Sequence, residues 1–263
     1  MTATSWLRDS WEMVLRNLIH IKRTPELLLD VTLSPIMFVL LFNFVFGGAI
    51  GRIVGSEGGS QQDYINYMMA GIFVQTIAFA GIYTSVLLAN DLQKGMIDRF
   101  RSLPMAQSAV LTGRTVTDLM RAILAIAIMW IVGMLVGFRP EGGIAGSAAA
   151  IGLMLLFGFA LSWLGVAAGA LVRTPEALQG IIFAVVFPLT FVSSAFVPTD
   201  SMPDWLAWFA DRQPMTLVMN EVRDFTLGIN VYDAELAAVA WSLGALIIFF
   251  PLGMWLYNRR TTQ

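Results

Sequence analysis

The sequence predicts an all-α integral membrane protein with six transmembrane helices, an amphipathic interfacial helix ahead of them and two polar segments that do not span. Three observations carry this. Of 263 residues, 57% are hydrophobic and only 13% are charged, with a mean hydropathy of +0.72, whereas soluble globular chains have about 25% charged residues. Several apolar runs approach the ~20 residues that a helix needs to cross a bilayer. The Lys and Arg residues fall unevenly between the segments that join those runs, as orientation in a membrane requires. The short alternating segments of a transmembrane barrel are not seen.

Taken in order, residues 4–24 place Leu7, Trp11, Val14, Leu15, Leu18 and Ile21 at helical spacing, with Arg8, Asp9, Glu12, Arg16 and Arg23 around the rest of the wheel, the pattern of a helix lying in the interface. Charges scattered through the apolar part, and no small-residue cleavage site after it, distinguish it from a signal peptide. The first span covers about 27–50, with Pro35 in its first third and Asp30 near its end. Gly47, Gly48, Gly51, Gly55, Gly58 and Gly59 then mark a flexible loop,.

The second span, about 64–90, contains Gln75, Thr76, Thr84 and Ser85; a lone Gln at this depth reads as an interhelical hydrogen bond before it reads as a substrate ligand. The third, 121–138, ends at the turn "RPEGG", and the fourth runs over 144–172. Gly133 with Gly137, and Gly165 with Gly169, form Gly-x-x-x-Gly pairs that let helix backbones approach closely, here read as packing within one chain.

The fifth span, 179–197, has Pro188 in its middle and Ser193 and Ser194 after it, which predicts a bent or broken helix. Residues 198–228 are too polar to span. Trp205, Trp208 and Phe209 suit an aromatic belt, so this stretch reads as a hairpin dipping into the headgroups and returning,. The last span is 234–257.

With the N-terminus inside, twelve of the sixteen Lys and Arg lie on inner segments and only Arg52, Arg139, Arg212 and Arg223 on outer ones. That asymmetry predicts a multi-pass protein of the cell membrane with both termini cytoplasmic. No repeat of 20 to 50 residues and no two-half symmetry divides the chain, so residues 1–263 read as one transmembrane domain.

Several chemistries are excluded or disfavoured. Zero cysteines rule out disulfides, thiolate metal sites and cysteine nucleophiles. No phosphate-binding loop of the Gly-x-x-x-x-Gly-Lys-Ser/Thr form is present, so ATP is not hydrolysed here in the usual way. One histidine, His20, gives no zinc pair,. Ser193 and Ser194 have no activating Lys or His nearby, and a net charge of −2 offers nothing to nucleic acid. Ion-coupled transport normally keeps carboxylates or histidines at mid-membrane, and none falls in the middle of a predicted span.

The polar stretch Asp91–Arg121 remains. Within it, Met96, Ile97, Phe100 and Leu103 form one apolar helical edge beside Asp98, Arg99 and Arg101. Such an edge docks into a groove while the charges fix its register.

The sequence resembles the membrane subunits of type-2 ABC exporters, and among them the daunorubicin-resistance-type permeases. "KGMIDRFRSLPM" is similar to that family's segment after the second span, with Gly95, Asp98, Arg99 and Pro104 on its marked positions and Met96 where Thr is common. "FVSSAFVPTDSMPDWLAWFADRQPMT" resembles its fifth-span end and outer hairpin, and the interfacial helix and six-span order agree.

The resemblance implies two permease chains, identical or paralogous, forming a path for a hydrophobic or amphiphilic substrate, a drug or a lipid. It also implies a separate nucleotide-binding subunit that holds the ATP and Mg, so that this chain carries no cofactor and no enzymatic activity. That subunit would grip a cytoplasmic coupling helix comprising Gly95, Met96, Asp98, Arg99, Phe100, Arg101, Leu103 and Pro104. Trp11, Glu12 and Arg16 would belong to the connecting helix. Pro188, Ser193, Ser194, Pro198, Pro203, Trp205 and Pro214 would form a re-entrant hairpin that gates the exit. The competing readings are a secondary drug exporter and a membrane-embedded assembly or immunity protein.

Overall fold

The computed structural model describes residues 33, 35–46, 61–93, 107–172 and 174–262. The predicted interfacial helix at 4–24, with Trp11, Glu12 and Arg16, and the predicted coupling helix from Gly95 to Pro104 lie outside the described residues. Among the described residues every regular element is helical. Helix α1 covers 35–41 and widens into a π-turn at Phe42–Phe46; α2 is Gln61–Gln93, α3 Gln107–Val136, α4 Gly143–Leu171 and α5 Pro175–Phe191. A 3₁₀ turn at Thr199–Ser201 precedes α6, Asp204–Arg212, and α7, Pro214–Leu227; α8 is Glu235–Thr262.

Four of these helices, α2, α3, α4 and α8, are long and apolar enough to cross a membrane; α1 and α5 are shorter apolar helices. Their positions follow the predicted spans, with two corrections. The third helix begins at Gln107 rather than at 121, so Arg114, Asp118 and Arg121 are part of one continuous helix with the span. The fifth ends at Phe191 rather than at 197. Pro188 lies inside it, and Val192 closes it by donating its N–H to Pro188 O; the six residues after Phe191 turn back toward the bundle instead of extending the span.

Helices α2 and α4 form the centre. In the most apolar part of α2, 72% of residues are buried, against 17% in α8, so α2 is enclosed by protein while α8 presents most of its surface outward. The two central helices run parallel along a seam made possible by glycine. A β-carbon on Gly165 would lie 3.1 Å from Gly81 O, one on Gly169 would lie 2.7 Å from Ser85 O, and Gly81 in turn faces Gly158 O at 2.8 Å. Backbones this close gain dispersion contacts that lipid cannot supply. The predicted intrachain role of the Gly165–Gly169 pair is therefore realised. Gly133 instead makes room for Met69, and Gly137 turns the chain after α3 with φ 123°.

Helix α8 lies parallel to α4 on its other side. Phe250 meets Trp163 edge-on at 4.5 Å, and Arg260 Nη1 donates to the carbonyls of Gly169, Ala170 and Val172 at 3.1, 3.0 and 2.6 Å. These are carbonyls that the end of α4 leaves without an intrahelical donor. Helix α3 runs antiparallel to α2 in a fixed register: Gly133 opposes Met69, Trp130 stacks on Phe73 at 5.2 Å, Thr76 approaches Met129 Sδ and Thr84 reaches Asp118.

Substituting Gly169→Ala should lower the melting temperature of the purified protein in detergent, because its β-carbon meets the Ser85 backbone and overpacking of this kind costs about 1–3 kcal/mol. Gly152→Ala, with nothing within 4 Å of the added carbon, serves as the matched control and should leave it unchanged or raise it. Equal melting of the two variants would show that the seam does not constrain the fold.

Candidate functional site

The stretch from Val192 to Gly228 folds as a helical hairpin, and its second arm is not superficial. Pro214 at the first position of α7 and Gly228 at its C-terminus, in the left-handed conformation (φ 67°), delimit the arm by the usual start and stop chemistry. Met215, Val218, Met219 and Val222 then make an i, i+3, i+4, i+7 stripe, all buried, which packs α7 against α4 and α2. The first arm differs. In α6, Trp205, Trp208 and Phe209 are exposed, with Arg212 4.7 Å above the Trp208 ring, as suits an amphipathic helix at a membrane surface. The exposed rings of α6 suit the aromatic belt expected of the hairpin, while its other arm, α7, is buried against α2 and α4.

What turns α7 inward is Arg223, 1% exposed. Its Nε donates to Tyr67 O of α2 at 3.2 Å, its Nη2 to Ser194 O at 2.9 Å and its Nη1 to Asn220 Oδ1 at 2.7 Å. The guanidinium also lies 3.7 Å from the Tyr67 ring centroid and 5.5 Å from that of Tyr232. Its hydrogen-bond acceptors are uncharged, and the aromatic faces supply the remaining electrostatic compensation. One side chain thereby joins α2, the turn after α5, and α7.

The turn itself is held twice more. Ser194 Oγ donates to Asn220 Oδ1 at 2.7 Å, Ser193 Oγ is directed to Thr190 O and to Met219 Sδ, and Gln213 Nε2 donates to Leu189 O at 3.0 Å and also to Val192 O. Ala195 packs its backbone onto Gly71 of α2, where any β-carbon would collide with Ala195 C and Cα at 2.7 Å. Beside it Phe196 stacks on Phe42 of α1 at 4.0 Å and 5°.

At the far end of α7, Gly142 N–H donates to Thr226 O at 2.9 Å, and Gly142 and Gly146 together leave space for Phe225 O. The hairpin is therefore clasped at both ends by glycine-bearing backbone.

Of the predicted gate residues, Ser193 and Ser194 come together inside the hairpin and are buried; Pro214 and Pro198 are half-buried; Pro188, Pro203 and Trp205 are exposed. Ser193 and Ser194 spend their hydroxyls on the hairpin's own frame. The sequence reading missed Arg223, Glu221 and Asp224 by treating 198–228 as surface, although the apolar stripe of α7 and the Pro–Gly pair that bounds it carry the signal.

Glu221 and Asp224 are 4% and 3% exposed. Asp224 Oδ2 accepts from Tyr232 N–H at 2.9 Å, while its Oδ1 is buried without a partner. Burial pushes the Glu221 carboxyl up from 4.5 to about 7; Asp224, Glu235 and Asp233 push it the same way, against a backbone hydrogen bond from Ala234. Arg223, on the same helix, is turned toward α2, and α4 contributes no titratable side chain over 143–171. Near neutrality Glu221 is therefore close to half protonated.

Two outcomes follow. Arg223→Met should loosen the hairpin by on the order of 1–3 kcal/mol, the cost of stranding buried acceptors. Arg223→Lys should not restore it, since an ammonium lacks the planar fork that reaches three elements; thermal melting and limited proteolysis between Val192 and Ala234 read both.

The folded protein holds more protons at Glu221 than the unfolded chain does between pH 4.5 and about 7. Its contribution to stability is therefore full below the lower value and is lost as pH rises through the upper one. Melting temperature measured across this range should fall with rising pH, and Glu221→Gln should remove that part of the slope.

The family described as ABC-2 type transporter matches residues 9–226. The daunorubicin resistance ABC transporter permease protein DrrB1 of Streptomyces coeruleorubidus is 34% identical over 249 residues, covering 94% of this chain and 85% of that protein. The probable doxorubicin resistance ABC transporter permease protein DrrC of Mycobacterium tuberculosis is 22% identical over 231 residues, 87% of this chain and 80% of that one. A putative transport permease, ycf38, of Cyanophora paradoxa is 24% identical over 271 residues, covering 98% and 91%. The family match takes in both the helix that receives Arg223 and the helix that supplies it, and this chain, a multi-pass membrane permease, belongs to the ABC-2 type transporter family.

Proposed function

We propose that this permease forms half of the translocation pathway of an ATP-driven exporter for amphiphilic, drug-like molecules, with ATP and Mg bound by a separate nucleotide-binding subunit. The observation that carries the reading is the extent of similarity to relatives named as daunorubicin and doxorubicin resistance permeases, 94% and 87% of this chain. In it, residues 1–263 make one transmembrane domain, and α1 and α5 join the four longer helices to complete six spans. The Lys and Arg distribution sets both termini in the cytoplasm. A second copy or a paralogous permease supplies the other half of the path.

A track of aromatic rings is consistent with a planar substrate. Phe183, Phe187 and Phe191 on α5 stack at 4.8 and 4.6 Å, and the track continues to Phe196 at 5.6 Å and then to Phe42. Phe183 and Phe191 are exposed. The hairpin, with Ser193, Ser194, Pro198, Pro203, Trp205 and Pro214, closes the outer end of this path, and Pro188 softens the helix that leads to it.

Force enters in this reading at Gly95–Pro104, through Met96, Asp98, Arg99, Phe100, Arg101 and Leu103, with the connecting helix of Trp11, Glu12 and Arg16 beside it. Replacing Asp98, Arg99 or Phe100 by Ala should reduce daunorubicin export from cells and weaken copurification of the ATPase subunit, while the permease itself stays folded. Export should be blocked by vanadate and survive an uncoupler. Unchanged export and copurification in all three variants would overturn the entry point, and uncoupler-sensitive, vanadate-resistant export would overturn the ATP-driven reading.

A further inference from the structure

The antiparallel contact between α2 and α3 changes character along its length. Its middle is apolar: Met69 lies against Gly133, Phe73 against Trp130, and Thr76 Oγ1 is 3.9 Å from Met129 Sδ. At the hairpin end Arg139 N–H donates to Asn66 Oδ1 at 3.0 Å and Gln62 Nε2 to Gly137 O. Toward Gln93 and Gln107 it turns polar and directional. Thr84 Oγ1 donates to Asp118 Oδ2 at 2.6 Å, a buried pair from two different helices. Asp118 is 9% exposed, and Arg121, one turn on, stands 3.7 Å from Asp118 Oδ1. Ser85, Thr115 and Thr117 beside them are buried as well.

A carboxylate three residues inside the apolar part of α3, which begins at Thr115, is costly to desolvate. It becomes tolerable here because one oxygen takes a short hydroxyl hydrogen bond and the other faces a guanidinium. A contact of this kind fixes relative rotation and axial position at this end, as the Asn66 and Gln62 hydrogen bonds to the chain just after α3 do at the other. It joins the two helices whose ends, Gln93 and Gln107, flank the segment 94–106.

We propose that Asp118 is a positioning residue of the transport cycle. Through Thr84 it locks α2 to α3 at the end nearest 94–106, so that a displacement delivered there moves both helices as one body instead of parting them. This deepens the reading that force enters at Gly95–Pro104 and rests on it.

The test uses the complete exporter, purified with its ATPase subunit, in liposomes, with daunorubicin as the transported probe; it compares probe moved per ATP hydrolysed with basal ATP hydrolysis and with assembly. Thr84→Val, which keeps shape and removes the donor, and Asp118→Leu should leave assembly and basal hydrolysis intact and lower transport per ATP about fivefold, the scale of one buried hydrogen bond. Asp118→Asn, which still accepts from Thr84, should lose less. The exchanged pair Thr84→Asp with Asp118→Thr should recover coupling above either single exchange.

Wild-type transport per ATP in Thr84→Val and Asp118→Leu would overturn the proposal. So would parallel loss of assembly, basal hydrolysis and transport, which marks a residue needed only for folding. The two readings fail separately: Asp98→Ala, Arg99→Ala and Phe100→Ala without effect beside uncoupled Asp118 variants would remove the entry point and keep the joint, and the reverse pattern would remove the joint alone.

Discussion

The architecture depends on one buried cation. A guanidinium at 1% exposure inside an apolar bundle is tolerated only if its donors are satisfied, since desolvating it without partners costs several kcal/mol. Arg223 meets that condition with acceptors from three places, Tyr67 O, Ser194 O and Asn220 Oδ1, and with the face of Tyr67. None of these neutralises its charge directly. Glu221 and Asp224 share its helix and are themselves buried, so α7 holds both signs of charge within one turn. The polarity that excludes α7 from the set of spanning helices is what anchors it among them.

Around that clamp the centre of the bundle is close-packed. Helices α2, α4 and α8 run parallel with backbone contacts at Gly81, Gly165 and Gly169 and ring contacts at Trp163, and Arg260 closes the end of α4. Side chains cannot rearrange where there are none, so this part moves as a unit. Helix α5 packs chiefly on α2, contains Pro188 and ends in a turn held by hydroxyl and amide hydrogen bonds. The Ser193–Phe196 turn ties the end of α5 to α2, where Gly71 admits Ala195.

The sequence made α2, α4 and α8 legible because length and hydropathy alone identify a buried or lipid-facing helix, and the glycine pair in α4 named its own packing face. It misled where polarity was read as exposure. The apolar run places the third span from 121 with a helical lead over 114–121; the helix in fact starts at Gln107, and Asp118, read as part of the polar stretch, is buried against Thr84 of α2. Glu221, Arg223 and Asp224 suggested a headgroup-level hairpin. Their partners are residues 67, 194 and 232, which no local pattern announces, because hydrogen bonds across 29 and 156 residues leave no periodicity in the chain.

Helix α2 connects these polar features. At 33 residues it is about 50 Å long at 1.5 Å per residue, and it has a directional hydrogen bond near each end: Tyr67 O to Arg223 on the hairpin side and Thr84 to Asp118 on the other. Between them its contacts with α4 are backbone to backbone, which resist bending. A stiff element clamped at both ends cannot change its position at one without straining the clamp at the other. Displacing α2 beside Gln93 therefore strains the contact of Tyr67 O with Arg223 at its other end.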